Sequence, residues 1–176
     1  MPLKLFIFLI VFLVIILQVS AIPNFFSSDA APDLIIILLV FFTAEAGFAR
    51  VWKWAIFVGF ISDIIFFTLL GTSALSFLII AYGTEIVAKR FLAGQKAWKM
   101  FVLASVAAIC LAFDYSFTFL LAKIINYFYS TPYSEYFSWT VLARSALYNF
   151  IAASIIYWPF KKIKNLIVLR QELKIE

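Results

Sequence analysis

Apolar residues run almost continuously along this chain, and the few polar positions that interrupt them divide it into six segments. Leu3 to Ile22 is broken by Lys4, Gln18 and Ser20, and Leu34 to Phe48 follows Pro32-Asp33. Trp54 to Leu70 carries Gly59, Ser62 and Asp63, and Thr72 to Ala88 ends near Glu85. Lys99 to Ile125 carries Asp114, and Thr140 to Trp158 carries Arg144 and Asn149. A barrel strand would alternate apolar and polar residues, whereas Leu34 to Phe42 is apolar without a break. The pattern predicts an all-α integral membrane protein with six transmembrane helices at about 3–22, 33–48, 54–70, 72–88, 99–125 and 140–158. They form a single membrane domain over 1–176, with 159–176 as a basic cytoplasmic tail. A spanning helix needs about 20 residues. The second, third and fourth segments fall at or under that length, so they need thinned bilayer, snorkelling ends or shielding by neighbours.

The first segment has two readings. Lys4, the apolar run and Val19-Ser20-Ala21 fit a signal peptide with a small-residue cleavage site. The run continues past Gln18 to Ile22, which favours an uncleaved first helix.

Composition narrows the chemistry. Of 176 residues, 66% are hydrophobic and 13% charged, with mean hydropathy +1.08. That excludes a soluble enzyme, a disordered linker and a disulfide scaffold. With no histidine, Ser-His-Asp and Cys-His catalysis and most transition-metal sites are gone. The lone Cys110 lies in an apolar run and reads as an inert buried thiol. The acids stand singly, without metal-ligand spacing. Gly59 and Gly71 are isolated rather than part of a phosphate-cradling loop. Ser130, Thr131, Ser134 and Glu135 in the 126–139 loop have no suitable base. We expect no enzyme, no cofactor, no metal and no nucleic-acid partner.

Charge sets the orientation. Twelve of the fourteen basic residues fall on one side of the six-span arrangement: Lys4, Arg50, Lys53, the 89–99 group and the 161–174 group. Lys123 and Arg144 fall on the other. The positive-inside rule then puts both termini and the 50–53 and 89–99 loops in the cytoplasm. Trp52, Trp54, Trp98 and Trp158 mark the inner interface. Trp139 and Tyr127, Tyr129, Tyr133 and Tyr136 mark the outer one.

The residues of interest are the polar ones inside apolar segments, since a carboxylate at mid-membrane is costly. Asp63 shares a face with Ala55 and Gly59 at i, i+4, i+8, where small residues let another helix approach. It is a helix-packing or ligand site. Glu85 lies on a face with Ala81 and Ala88 and is four residues from Lys89, so a local ion pair is the simpler account. Glu45 snorkels or pairs near Arg50. Asp114 is a second buried acid, followed by Tyr115, Ser116 and Thr118. Asn149 forms a polar edge with Ser145, continued by Ala153, suited to interhelical hydrogen bonding. Arg144 snorkels outward or meets an inward acid. Lys161, Lys162 and Lys164 form a basic juxtamembrane segment, either an ordinary topological anchor or a site for anionic lipid headgroups.

From Pro32 to Arg90 an ordered set of residues resembles the rod shape-determining protein MreD family. Pro32-Asp33-Leu34 opens the second helix. Gly59-Phe60, Asp63, Leu70-Gly71, Ala74-Leu75 and Ala81-Tyr82 follow. Phe66-Phe67-Thr68-Leu69 replaces the Ser-Gly that the family often has before the Leu-Gly turn. The resemblance implies a bacterial inner-membrane protein of the cell-elongation machinery. It implies a non-enzymatic partner of the bitopic protein MreC, linking MreB filaments to the polymerase RodA and its class B penicillin-binding protein. It also implies a compact bundle similar to the substrate-binding subunit of energy-coupling-factor transporters. Asp63, Gly59, Gly71, Ala74, Ala81, Tyr82, Glu85, Asp114 and Asn149 are the expected partner or helix-packing residues. A vitamin-type transporter subunit is the second reading, and a lipid-handling protein with Asp63 and Asp114 along a headgroup path is the third.

Overall fold

The computed structural model describes residues 3–26, 30–91, 98–129 and 138–172, with side chains for 9–26, 30–91, 98–125 and 138–162. The described residues are all-α. The helices are α1 (Leu3–Ser20), α2 (Ile22–Phe25), α3 (Leu34–Ala46), α4 (Phe48–Ile65), α5 (Thr72–Phe91), α6 (Lys99–Tyr129) and α7 (Trp139–Glu172). Over Lys99–Ile125 and Trp139–Lys162, α6 and α7 are long and apolar enough to cross a membrane; the apolar stretches Leu9–Phe25 and Leu34–Ala46 are shorter. Much of the exterior is apolar, with Leu13, Ile64, Ile109 and Ile155 all more than half exposed.

α3 is the hub. It packs on α1, α4, α5, α6 and α7, while α4 pairs with α5 and α6 with α7. Its sequence Leu-Ile-Ile-Ile-Leu-Leu-Val-Phe-Phe is apolar on every side, which suits a helix enclosed by others. Ile36, Ile37, Val40 and Phe41 are fully buried. At 1.5 Å per residue its 13 residues reach about 20 Å, short of a hydrocarbon core of about 30 Å. Its start therefore lies inside the bundle, and Ala30 and Pro32 are buried with it.

A helix start exposes N–H groups without intrahelical partners, and in a bundle interior each must be satisfied by protein. Here every one of the first turn is. Asp33 caps α3, its carboxylate accepting from Ile35 and Ile36 at 2.8 and 3.0 Å. The Leu34 N–H donates to Gln18 Oε1 of α1 at 2.9 Å, and Gln18 Nε2 donates to the Pro32 carbonyl at 3.2 Å. The Asp33 N–H donates to Asn149 Oδ1 of α7 at 3.0 Å. Asn149, fully buried, also donates to the Ala107 carbonyl of α6 at 2.9 Å. One loop thus ties together α1, α3, α6 and α7.

The helix limits differ from the hydropathy pattern in three places. The corner expected at 50–53 lies at Gly47, whose φ of +81° suits glycine, and Arg50 and Lys53 sit in the first turns of α4. Their side chains point outward while Val51 and Ala55 are buried, so charge marked a surface and not a break. α4 ends at Ile65 rather than Leu70, because the turn that follows is itself apolar. α7 passes through Pro159 to Glu172, where a tail was expected from 159. The apolar run stops there, but the helix continues, without the one bond that Pro159 has no N–H to make.

Asn149→Ala removes an acceptor from Asp33 and a donor from Ala107. It is expected to lower stability by about 1–3 kcal/mol, read as the thermal midpoint in mild detergent. Arg144→Ala is the control. That side chain is exposed and bonds its own Thr140 carbonyl, so the change should stay within about 0.5 kcal/mol.

Candidate functional site

The residues of the Gly59–Ala81 stretch converge on the α4–α5 hairpin. Val51, Ala55, Val58, Gly59, Ser62 and Asp63 form the buried face of α4. At Gly59 the two helices touch backbone to backbone: a Cβ built there would lie 2.4 Å from the Ala74 Cα and 2.6 Å from its N. The small-residue face predicted around Asp63 therefore receives α5 of the same chain. Gly59 and Ala74 are the two sides of that crossing.

Asp63 closes the hairpin above it. Its carboxylate is 1% exposed and both oxygens accept. Oδ1 takes the Thr68 hydroxyl at 2.8 Å and the Ser73 N–H at 3.0 Å; Oδ2 takes the Gly71 N–H at 2.7 Å. The Thr68 N–H donates to the Asp63 carbonyl at 3.0 Å. Asp63 is thus a cap for α5 supplied from α4. Gly71 adopts φ +95°, a conformation costly for other residues. Between Asp63 and Gly71 the chain turns through Phe66, Phe67 and Leu70, all exposed, with Phe67 at φ +53°. Gly59, Asp63, Gly71 and Ala74 are one structural unit: a crossing, a cap and the turn the cap requires.

The other predicted residues lie elsewhere. Ala81 is buried in the core, and Tyr82 is exposed with its ring edge-on to Phe48 at 5.7 Å. Glu85 pairs with Lys89 at 3.0 Å and reaches the Gly47 corner. Glu45 pairs with Lys99 at the start of α6. Asp114 sits beside Ser76 on the α5–α6 interface, and Asn149 belongs to the α3 cap. Lys161 and Lys162 are exposed. The Lys164 side chain, Lys96, and Tyr127, Tyr129, Tyr133 and Tyr136 of the outer belt lie outside the described side chains, as does the Ser130–Glu135 group. Trp52, Trp98, Trp139 and Trp158 are exposed.

Gln18, Thr68 and Ser73 were not singled out by the sequence, and Asp33 was read as a helix opener without a site role. A glutamine within an apolar helix, and Pro-Asp before an apolar run, were the available signals.

All these helix ends place one polarity on the bundle. Gly47 meets Glu85, and Phe160 packs on Phe41 and Phe42. The end of α3, the start of α4, the end of α5 and the 160 region of α7 therefore lie together. That end carries Arg50, Lys53, Lys89, Arg90, Lys99, Lys161 and Lys162. The two Asp caps lie at the opposite end. Among the described residues, no group of three or more His, Cys, Asp or Glu is placed to hold a metal ion.

A family model described as rod shape-determining protein MreD matches residues 2–167. No curated protein and no solved structure matches the chain.

Two substitutions separate cap from crossing. Asp63→Ala leaves the Gly71 and Ser73 N–H groups and the Thr68 hydroxyl without their acceptor, and should cost on the order of 3 kcal/mol. Gly59→Leu forces α4 from α5 and should cost at least as much. Both should lower membrane accumulation of the full chain, measured by quantitative immunoblotting. Normal abundance of Asp63→Ala would remove the capping role.

Proposed function

The chain belongs to the rod shape-determining protein MreD family, and on that premise we propose that it is a membrane scaffold of the bacterial cell-elongation machinery. Membership carries a role in rod shape determination. The family is a membrane-associated structural component and is not known as an enzyme. In our reading the chain crosses the cytoplasmic membrane six times, through α1, α3, α4, α5, α6 and α7. The basic end and both termini face the cytoplasm, as the positive-inside rule favours. The scaffold binds the transmembrane helix of an MreC-like bitopic protein. With it, the scaffold helps couple MreB filaments to RodA and a class B penicillin-binding protein. Lys161 and Lys162 contact anionic lipid headgroups.

One observation carries this reading. The intramembrane polar side chains that the sequence put forward as a site are largely engaged in the chain's own architecture. Asp63 holds a turn, and Asn149 and Asp33 hold a helix start. What the bundle offers outward is apolar, including Phe57, Phe60 and Ile64 on α4 and Leu75, Ile79 and Ile86 on α5. Such a surface suits another apolar helix packed at van der Waals distance.

Mild-detergent co-purification of the natively expressed, C-terminally tagged protein tests the reading. Recovery of an MreC-like bitopic protein, with or without RodA and its transpeptidase, is expected. Recovery of a paired ATPase module would replace the scaffold with a transporter binding subunit. A reporter fused after Glu176 should read cytoplasmic; a periplasmic signal would break the six-span arrangement.

A further inference from the structure

Three aspartates mark one level in the bundle. Asp33, Asp63 and Asp114 lie near enough to interact, with Ser76 of α5 beside Asp114. Asn149 of α7 holds the Asp33 N–H. Beyond this level, away from the basic end, the helices differ in reach. α3 begins at Leu34, and α4 ends two residues past Asp63. Ser76 is four residues from the start of α5, a rise of about 6 Å. α6 runs fifteen residues past Asp114 to Tyr129, and α7 extends ten residues from Asn149 to Trp139, rises of about 22 and 15 Å. The α6–α7 hairpin therefore stands above its neighbours by about two to three helical turns.

That projection is apolar over a length fit for hydrocarbon. The spanning stretches of α6 and α7 are Lys99–Ile125 and Trp139–Lys162, and Leu120, Ile124 and Trp139 are exposed on the part that projects. Below it, on the flank where α5 packs on α6, lies the turn Phe66-Phe67-Thr68-Leu69-Leu70-Gly71. A turn in water ordinarily uses Gly, Pro, Asn, Asp or Ser. This one exposes Phe66, Phe67 and Leu70, with Phe67 88% exposed. Its polar groups are directed inward. The Gly71 and Ser73 N–H groups and the Thr68 hydroxyl donate to the Asp63 carboxylate, and the Phe66 and Thr72 N–H groups donate to the Ser62 and Leu69 carbonyls.

The step between the two parts has an apolar wall and an apolar floor. Between Lys53 and Glu85 the only Asp, Glu, Lys or Arg is Asp63, and it is buried. The floor thus lacks the outward polar group with which one membrane helix registers another. Acyl chains need no such group, and a bilayer meets a short flank by thinning over it. We propose that this step is an acyl-chain site. Phospholipid of the leaflet opposite the basic end lies over the α4–α5 turn, and that leaflet is thinner there than alongside α6 and α7. The inference rests on the membrane-spanning reading above and adds a lipid-shaping surface to it.

Power-saturation electron paramagnetic resonance tests the step. A Cys110→Ala chain carries a nitroxide at Phe67→Cys or, as the reference on the projection, at Thr140→Cys. Each is reconstituted in thin dimyristoleoyl and in thick dierucoyl phosphatidylcholine. Contact of the label at 67 with an aqueous nickel chelate is expected to fall severalfold in the thick bilayer, while contact at 140 is unchanged. Equal changes at the two positions would remove the step and overturn the proposal. Constant contact at 67 would leave the turn in water and overturn it equally. Phe67→Asn gives a second reading without a label. Asparagine tolerates the φ of +53° at this position, so a water-facing turn would keep or raise its thermal midpoint. A lowered midpoint in dierucoyl nanodiscs is expected, and an unchanged or raised one overturns the proposal. Neither measurement involves a protein partner or the side on which the termini lie, so its failure is distinct from failure of the co-purification or the reporter.

Discussion

The rest of the bundle depends on how a helix can begin inside an apolar interior. α3 is too short to carry both ends to water, and its first N–H groups have no carbonyl of their own helix to meet. Asp33, Gln18 and Asn149 meet them instead. These three side chains come from the α3 cap itself, α1 and α7, and Asn149 extends the tie to α6. Satisfying one helix start therefore fixes the positions of four helices. α5 begins at the same end of the bundle and follows the same rule, with Asp63 of α4 as its cap.

This arrangement accounts for how polar residues are distributed in so apolar a chain. In a membrane the hydrophobic effect does not hold helices against one another, because lipid tails are as apolar as the side chains. Close backbone approach and internal hydrogen bonds must do it. Gly59 against Ala74 supplies the first, and the two capped helix starts supply the second. Of the polar groups outside these caps, Glu45 pairs with Lys99 and Glu85 with Lys89 at the basic end, while Ser62, Ser116 and Ser154 close on carbonyls of their own helices. The exterior is left apolar.

Much of this was legible in the sequence, for identifiable reasons. Continuous apolar runs require helices. The i, i+4, i+8 spacing of Ala55, Gly59 and Asp63 announces a close crossing, and Glu85 with Lys89 announces a local pair. What escaped has physical causes too. Hydropathy places breaks at charges, so it marked 50–53, while the chain turns at Gly47 through a single positive φ. Hydropathy also carries a helix through Phe66 and Phe67, since an apolar turn in a membrane needs no polar residues once an aspartate satisfies its backbone. Asn149 finds its partner 116 residues away, a pairing no local pattern encodes. Gln18 looked like an interruption because its acceptor role depends on a helix start that only the fold brings near.

Site-resolved amide hydrogen exchange of the full chain in lipid nanodiscs reads out the buried start of α3. First-turn amides ordinarily exchange fastest in a helix. If the buried cap is the constraint the bundle is built on, the amides of Leu34, Ile35 and Ile36 will be protected as strongly as those of Val40 and Phe41 in the middle of α3. First-turn amides that exchange as fast as those of the last turn of α5 at Lys89–Phe91 would contradict it.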